Sequence, residues 1–271
     1  MVKLKKIFIF CLVFFGLLGL PKISWAADYF SWDTRIDRYG KPAGIFDVTP
    51  FPIDENTFSY SIKNDEYPEG KAYYLGTKYY VDGARPNDSG DGLSLATAKK
   101  TISAALTAAG SGNKTIVVRG AHDGFDGIYN EHDLDLKSGT DDTHRFVLVG
   151  YGQERPIIDA QNQDTYVIRT SSVVVYATIQ RLKLQNSGRT CYRTDGNDQY
   201  LNTIDVWLYN CANIAGNDGN LYHLSSDNNW LFHVMSQHTL GHCFKIGDDA
   251  RNSTVEWSIA KECGYWEPDF P

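Results

Sequence analysis

The second half of the chain repeats one pattern of apolar and polar residues. Four segments, VIRTS, CYRTD, LYHLS and CFKIG, begin at Val167, Cys191, Leu221 and Cys243, at offsets of 24, 30 and 22 residues. When they are aligned, two alternate columns are mostly apolar and the column between them is basic. Since the side chains of a strand alternate between its faces, the pattern predicts apolar columns inside and the basic column outside. The three columns are Ile168, Tyr192, Tyr222, Phe244; Arg169, Arg193, His223, Lys245; and Thr170, Thr194, Leu224, Ile246.

A second series of alternating residues supports the same period. Leu182, Leu184 and Asn186 recur 24 residues later as Val206, Leu208 and Asn210, and Leu231 and Val255 are also 24 apart. Successive coils of a β-helix stack like side chains ~4.8 Å apart, which produces such columns. A β-sandwich also has short strands, but it does not repeat column identities at this period. The pattern therefore predicts a parallel β-helix.

One short helix precedes the strands. Ile102, Ala105, Leu106 and Ala109 have the spacing of a single helix face, which predicts a helix over Thr97–Ala109. Thr97 is the expected N-cap, and Gly110 ends the helix. A helix in this position suits a cap over the open end of a strand stack.

Residues 78–160 carry a set of short motifs around this helix. They are Tyr79-Tyr80-Val81, Asp88-Ser89-Gly90-Asp91-Gly92, Thr101-Ile102 with Ala105-Leu106, Ile116 to Gly120, and Gly150 to Asp159. This stretch resembles the N-terminal signature of the right-handed β-helix superfamily that includes pectate lyases. The resemblance implies an all-β, right-handed parallel β-helix with a short N-terminal capping α-helix, and it does not identify a substrate.

The chain divides into three parts. Residues 1–26 have a basic start, an apolar run of 14 residues from Ile7 to Leu20, and Ser24-Trp25-Ala26, which together predict a cleaved signal peptide. Residues 27–77 are predicted to form an irregular N-terminal extension. Residues 78–271 are predicted to form the β-helix, incomplete at its C-terminus because no capping segment follows the last strand. The mature protein is expected to be secreted or periplasmic, without stable membrane insertion.

The charge of the mature chain argues against one class of partner. Removing the signal peptide takes away four lysines and no acid, so the net charge changes from −7 to −11. An acidic protein with few clustered basic residues is a poor nucleic-acid binder. An anionic polymer would need a local basic patch or a bound cation.

Four cysteines remain after cleavage, Cys191, Cys211, Cys243 and Cys263, and they allow three disulfide connectivities. Cys191 and Cys243 share a column two coils apart, ~9.6 Å, which is beyond the reach of a disulfide. The same reasoning disfavours Cys211 with Cys263 if those two also lie two coils apart. Any disulfide is therefore expected to join neighbouring coils.

The basic column is the main candidate for chemistry. Cleavage of an acidic polysaccharide by β-elimination needs a base for the proton α to the uronate carboxylate and positive charge for the resulting enolate. We expect Arg169 and Arg193 to bind carboxylates. Lys245 is the preferred catalytic base, with Arg193 and His223 as further catalytic residues. A row of solvated charges is the simpler reading of the same column.

The turns after these strands are rich in oxygen ligands. Asp227 and Asp249 fall in the same register, with Asp248 beside Asp249, and hard oxygen ligands at this spacing suit calcium. Several calcium-dependent pectate lyases likewise place an Asp cluster near a catalytic Lys or Arg. Asp and Asn are also ordinary turn formers.

Three functions remain open at this point. The first is a polysaccharide lyase that uses calcium, and the second is a non-catalytic carbohydrate-binding or adhesin-like module. The third is a glycoside hydrolase, for which Asp227 and Asp249 would be the carboxylate pair.

Overall fold

The structure is a computed structural model that describes only part of the chain. The described residues are 57–59, 72–74, 76–152, 154–214, 220–224, 226–247, 250–256 and 258–264, with the backbone alone for 57–59, 72–74, 220–224 and 256. The predicted signal peptide, 1–26, and most of the predicted extension lie outside the described residues.

Two short strands, β1 (Thr57–Ser59) and β2 (Ala72–Tyr74), pair antiparallel. The other described strands form three parallel sheets. Sheet 1 contains β3 (Thr77–Val81), β4 (Lys114–Val118), β7 (Phe146–Gly150), β10 (Ala177–Gln180), β13 (Asn202–Ile204), β16 (Trp230–Phe232) and β19 (Thr254–Glu256). Sheet 2 contains β5 (Ile128–Tyr129), β8 (Ile157–Gln163), β11 (Lys183–Ser187), β14 (Trp207–Cys211), β17 (Met235–Thr239) and β20 (Ile259–Cys263). Sheet 3 contains β6 (Leu134–Asp135), β9 (Ile168–Arg169), β12 (Tyr192–Arg193), β15 (Asn220–Leu224) and β18 (His242–Ile246).

From β4 onward the chain visits the three sheets in turn, so each full coil adds one strand to each sheet. Strands of neighbouring coils pair in parallel within each of these sheets, as in Leu184 with Leu208 and Thr203 with Leu231. Inward side chains of the three sheets meet in a common core, in which Leu148, Leu184 and Tyr192 are fully buried. Burying each such side chain contributes ~1.5–3 kcal/mol. The fold is a parallel β-helix of about five turns.

The predicted register of sheet 3 is confirmed. Tyr192 pairs with Ile168 and Tyr222, and Tyr222 pairs with Phe244. One part of the prediction is wrong: Ile246, assigned to the interior, is 58% exposed. Its strand, β18, is the last of sheet 3 in the described part of the chain, so no later coil in that part covers Ile246. Val255 is exposed on β19, the last described strand of sheet 1, for the same reason.

The helix is shorter than predicted. Helix α1 spans Ile102–Ala109, its N-cap is Thr101 and not Thr97, and Gly110 ends it as expected. Thr97 lies four residues before this cap, in the preceding loop, where its hydroxyl donates to Asp91. Two backbone N–H groups of the first turn donate instead to the carboxylate of Glu131, and this satisfies donors that a helix start leaves unpaired. The apolar face of α1 joins the core, and its role as a cap of the stack stays a prediction.

Residues in the left-handed backbone region mark the corners between the sheets. Tyr176 and Tyr200 precede β10 and β13, and both have a φ near 55°. Arg181 and Asp205 follow the same two strands with φ values of 52° and 53°. This conformation costs a non-glycine residue ~1–2 kcal/mol. The two tyrosine rings stack at 4.8 Å, one coil apart, so packing between coils offsets part of that cost.

Two disulfides connect coils, and both fit the expectation that bridges join neighbours. They are Cys191–Cys211 and Cys243–Cys263, with Cα separations of 5.4 and 5.3 Å. Cys211 pairs with Ser187 across sheet 2, so it lies one coil beyond Cys191, which follows Ser187 in the chain. Each bridge therefore joins one coil to the next, and the two bridges lie two coils apart.

Candidate functional site

One column of sheet 3 consists of ionisable residues in register, here called the charged ladder: Asp135, Arg169, Arg193, His223 and Lys245. Their backbones pair in this order from coil to coil. Successive members are therefore ~4.8 Å apart along the helix axis. Arg169, Arg193 and Lys245 are exposed, as predicted, while the side chain of His223 lies outside the described residues. The placement of the predicted basic column on the outer face is confirmed wherever its side chains are described.

The ladder begins with an acid that the sequence alignment did not include. The carboxylate of Asp135 accepts hydrogen bonds from Ser171 and, at 2.8 Å, from Lys137. Its partial burial would raise its pKa, but the hydrogen bonds from Lys137 and Ser171 outweigh burial, and the pKa of Asp135 is lowered. Asp135 therefore stays ionised, and the first ladder position already carries a neutralising lysine.

The cations of the ladder differ in their partners. The guanidinium of Arg169 forms an ion pair with Asp133, with a Nε to Oδ1 distance of 3.3 Å. Lys245 makes no ion pair with any residue that the structure describes. Arg193 contacts a tyrosine, Tyr166, described next. Among the described side chains of the ladder, Arg193 and Lys245 are therefore the cations that make no ion pair with another described residue.

Tyr166 lies beside the ladder, three residues before Arg169 on the same coil. Its hydroxyl accepts a hydrogen bond from Arg193, whose guanidinium carbon is 5.3 Å from the centre of the tyrosine ring. A second guanidinium, that of Arg189, lies 5.7 Å from the ring centre and is held by Asp164 at 3.0 Å. Partial burial would raise the pKa of Tyr166, but its hydrogen bonds with the two arginines outweigh burial, so the pKa is lowered.

Neither Tyr166 nor Arg189 was identified from the sequence. Tyr166 stands immediately before the VIRTS segment and Arg189 two residues before the CYRTD segment. Extending the repeat alignment upstream by two residues would have placed both of them one coil apart, beside the ladder.

Of the three predicted calcium ligands, only Asp227 lies among the described residues. Asp248 and Asp249 lie outside them. Asp227 is half-buried at the corner that leads into sheet 1, and its Oδ1 accepts a hydrogen bond from the backbone N–H of Arg251 at 2.7 Å. Within the described ranges no three His, Cys, Asp or Glu side chains group as metal ligands would. Calcium therefore stays a prediction, and no chemical step is derived through it.

A buried ion cluster lies at the corner between sheets 1 and 2. Asp205 accepts two hydrogen bonds from Arg155, 2.7 Å to its carbonyl oxygen and 2.8 Å to its carboxylate. Its carboxylate also lies 3.2 Å from Nδ1 of His233 and 3.6 Å from Nε of Arg181. Burial would raise the pKa of Asp205, but the hydrogen bond with His233 and the charge of Arg155 lower it further than burial raises it. These groups satisfy one another, and all are buried or nearly so, which marks a structural cluster.

The outer face of sheet 2 carries a partly buried lysine, Lys183. It lies in register between Ile157 and Trp207, and its ammonium is 4.9 Å from the centre of the Tyr209 ring. Burial lowers the pKa of Lys183, although the charge of Asp159 opposes that shift. This face differs from the ladder because its lysine packs against apolar and aromatic neighbours.

Comparisons with known proteins identify no family for this chain. No family model matches the chain, and no curated protein matches it. A solved structure named as a rhamnogalacturonan lyase is similar to it, with 11% sequence identity and a TM-score of 0.40. The similarity covers 72% of this chain and 64% of that one, so the chain spans less than two thirds of the length of the lyase.

Among the described residues, no helix combines the length and the apolar character that crossing a bilayer requires.

Proposed function

We propose that this protein is exported, binds an acidic polysaccharide along the charged ladder, and cleaves it by β-elimination. The observation that carries the proposal is the in-register column in which Arg169, Arg193, His223 and Lys245 occupy four consecutive coils of sheet 3.

The spacing of the ladder supports a polymer with regularly placed charges. One coil advances ~4.8 Å, which is close to the length of one pyranose residue in an extended chain. If a polyuronate lies along the helix axis, each carboxylate can face one ladder cation. Arg193 suits this role because a guanidinium can bind both oxygens of a carboxylate. The side chains of Arg193 and Lys245 are both exposed, so a long polymer can reach them.

The same cations support the chemistry of elimination. When the proton α to the carboxylate leaves, negative charge accumulates on the carboxylate oxygens, and cations placed there stabilise the transition state more than the ground state. Arg169 and Arg193 are proposed to bind carboxylates. The sequence assigned the base to Lys245 with assistance from His223, and in the structure the Lys245 side chain is exposed to solvent. A lysine acts as a base when burial or neighbouring cations disfavour its charged form, so we propose that Lys245 mainly binds carboxylate.

The disulfides support export. Bridges such as Cys191–Cys211 and Cys243–Cys263 form and persist in oxidising compartments and are rare in the cytosol. A secreted or periplasmic location also agrees with the predicted signal peptide.

A non-catalytic binding module is the second candidate, and one observation favours it. Arg169, Arg193 and Lys245 stand on an open strand face, where a polymer can bind without the enclosure that usually surrounds reacting groups. A glycoside hydrolase with Asp227 and Asp249 as its carboxylates stays a prediction.

One assay separates these functions. The purified protein is mixed with pectate, alginate and glycosaminoglycans, with and without EDTA, and the ultraviolet absorbance of unsaturated uronate and the release of reducing ends are followed. Elimination produces both signals, hydrolysis produces reducing ends alone, and a binding module produces neither. The proposed function predicts the absorbance signal with at least one acidic polymer. Its absence with every polymer would overturn the proposed cleavage.

A matched variant tests whether the ladder is the site. Replacing Arg169, Arg193 and Lys245 together by Ala removes three contacts of ~1 kcal/mol each, so affinity should fall about a hundredfold. Lys100→Ala, which removes an exposed lysine next to α1, should leave affinity unchanged. Equal affinity for the triple variant and the wild type would exclude the ladder.

A further inference from the structure

The hydroxyl of Tyr166 contacts a ladder residue, and its surroundings are unusual for a surface tyrosine. Its hydroxyl accepts from Arg193, a ladder residue, while the guanidinium groups of Arg193 and Arg189 both lie over its ring. The two arginines come from the next coil, and they reach back over the tyrosine of the coil before. The phenol oxygen is therefore placed where a carboxylate bound to Arg193 would also lie.

The charged groups around Tyr166 come from three consecutive coils. Arg189 and Arg193 face it from the following coil. Asp164 and Arg169 belong to its own coil, and Asp133, from the preceding coil, donates its backbone N–H to the carbonyl oxygen of Tyr166 at 2.8 Å. Both acids are engaged elsewhere, Asp164 with Arg189 and Asp133 with Arg169. The net effect on the phenol is that of two neighbouring cations, in agreement with its lowered pKa.

We propose that Tyr166 is the catalytic residue that transfers the proton in the elimination at the charged ladder. This inference rests on the proposed function and assigns to Tyr166 the role of base that was predicted for Lys245. The ligand is a uronate polymer whose carboxylate is held by Arg193.

The phenolate oxygen takes the proton from the carbon α to the carboxylate, and an O–H bond forms as that C–H bond breaks. The electron pair forms a double bond to the adjacent carbon, and the bond from that carbon to the glycosidic oxygen breaks. The leaving oxygen takes up a proton, from the new phenol or from water, and no oxidant or metal is required.

Arg189 is the positioning residue in this scheme. It is not part of the ladder, and Asp164 fixes it at 3.0 Å. Its charge favours the phenolate. Replacement of Arg189 should therefore change the pH dependence of turnover while leaving the ladder intact.

A purely structural tyrosine would behave differently in one respect. The ring of Tyr166 supports two cation–π contacts, and a phenylalanine keeps the ring while removing the oxygen. Tyr166→Phe therefore separates proton transfer from packing. Tyr176→Phe is the matched control, because Tyr176 lies at a different corner of the helix, stacked on Tyr200.

The experiment measures turnover at saturating acidic polymer, polymer binding and the pH profile for the wild type, Tyr166→Phe, Arg189→Gln and Tyr176→Phe. We expect Tyr166→Phe to lower kcat by at least about a hundredfold, a typical contribution of general base catalysis. Its affinity should stay within about twofold, since uniform binding contacts remain. Arg189→Gln should move the acidic limb of the pH profile to higher pH, and Tyr176→Phe should match the wild type.

Each other outcome has a defined meaning. If the wild type cleaves a uronate polymer and Tyr166→Phe retains its kcat, the assignment of Tyr166 is overturned and the proposed function stands. Loss of binding together with activity in Tyr166→Phe also overturns the assignment, because Tyr166 would then be a binding residue. If the wild type cleaves none of the polymers, the proposed cleavage fails and the role of Tyr166 fails with it.

Discussion

Replacing Asp205 by Ala should strongly destabilise the protein without touching the charged ladder. Asp205 is 7% exposed and is the common partner of Arg155, Arg181 and His233 at the corner between sheets 1 and 2. Its removal leaves the two guanidinium groups without their carboxylate in a buried setting, a change that costs about 3–5 kcal/mol. Because the side chain of Arg155 is 20% exposed and can recover some hydration, we expect a value near the lower end, about 3 kcal/mol.

Urea unfolding, followed by tryptophan fluorescence with the disulfides intact, measures this loss. Asp164→Ala is the matched control, because it removes a carboxylate from an ion pair of similar length, 3.0 Å, whose acid is 54% exposed. Exposed pairs contribute less than about 1 kcal/mol, so the control should unfold close to the wild type. A similar, small loss in both variants would refute the view that the corner cluster stabilises the fold.

The pH dependence of the same loss has a definite sign. The pKa of Asp205 is lowered in the folded state, so the carboxylate contributes stability above its ordinary pKa of about 4, and this stability is lost as the pH falls through the folded-state value. The difference in the free energy of unfolding between the wild type and Asp205→Ala should therefore be largest near neutral pH and should decrease in acid. A gap that stays constant down to about pH 3 would contradict this assignment of charge.

Further outcomes concern the bridges and the site. Replacing Cys191 and Cys211 together by Ser should lower the free energy of unfolding by about 3 kcal/mol, as expected for a closed loop of 20 residues, and urea unfolding under oxidising conditions measures this. Lys245→Ala should weaken polymer binding and leave turnover at saturating polymer largely unchanged; complete loss of turnover with intact binding would return the base role to Lys245. If calcium takes part, Asp249→Ala should raise the calcium concentration needed for activity without abolishing activity at saturating calcium, and an unchanged calcium titration would exclude Asp249 as a ligand.

The register of sheet 3 could be predicted from the sequence because stacking in a β-helix forces column identities to repeat. Arg169, Arg193, His223 and Lys245 align even though the coils differ in length, since the extra residues lie between strands and leave the paired strands in register. The restriction of disulfides to neighbouring coils followed from the same spacing.

Other features depend on contacts that a column alignment does not contain. Tyr166 and Arg189 lie just upstream of the aligned segments, and their meeting depends on long side chains reaching from one coil to the next. Thr97 fits an N-cap pattern, but the cap is Thr101, whose hydroxyl accepts from the backbone N–H of Ala104, so the helix starts at Ile102. The alternation of apolar and polar residues placed Ile246 in the interior. The alternation does not show whether a further coil packs over that residue, and Ile246 is exposed.

The central claim is that the carboxylates of a polysaccharide lie on the charged ladder. The most direct measurement compares the affinities of the wild type and of the Arg169, Arg193 and Lys245 triple Ala variant for a polyuronate and for the same polymer after its carboxylates are reduced to alcohols. The wild type should bind the acidic polymer more tightly than the reduced one, and salt should weaken this preference. The triple variant should lose the preference but bind the reduced polymer as tightly as the wild type does. A triple variant that still prefers the acidic polymer to the same degree would contradict the claim.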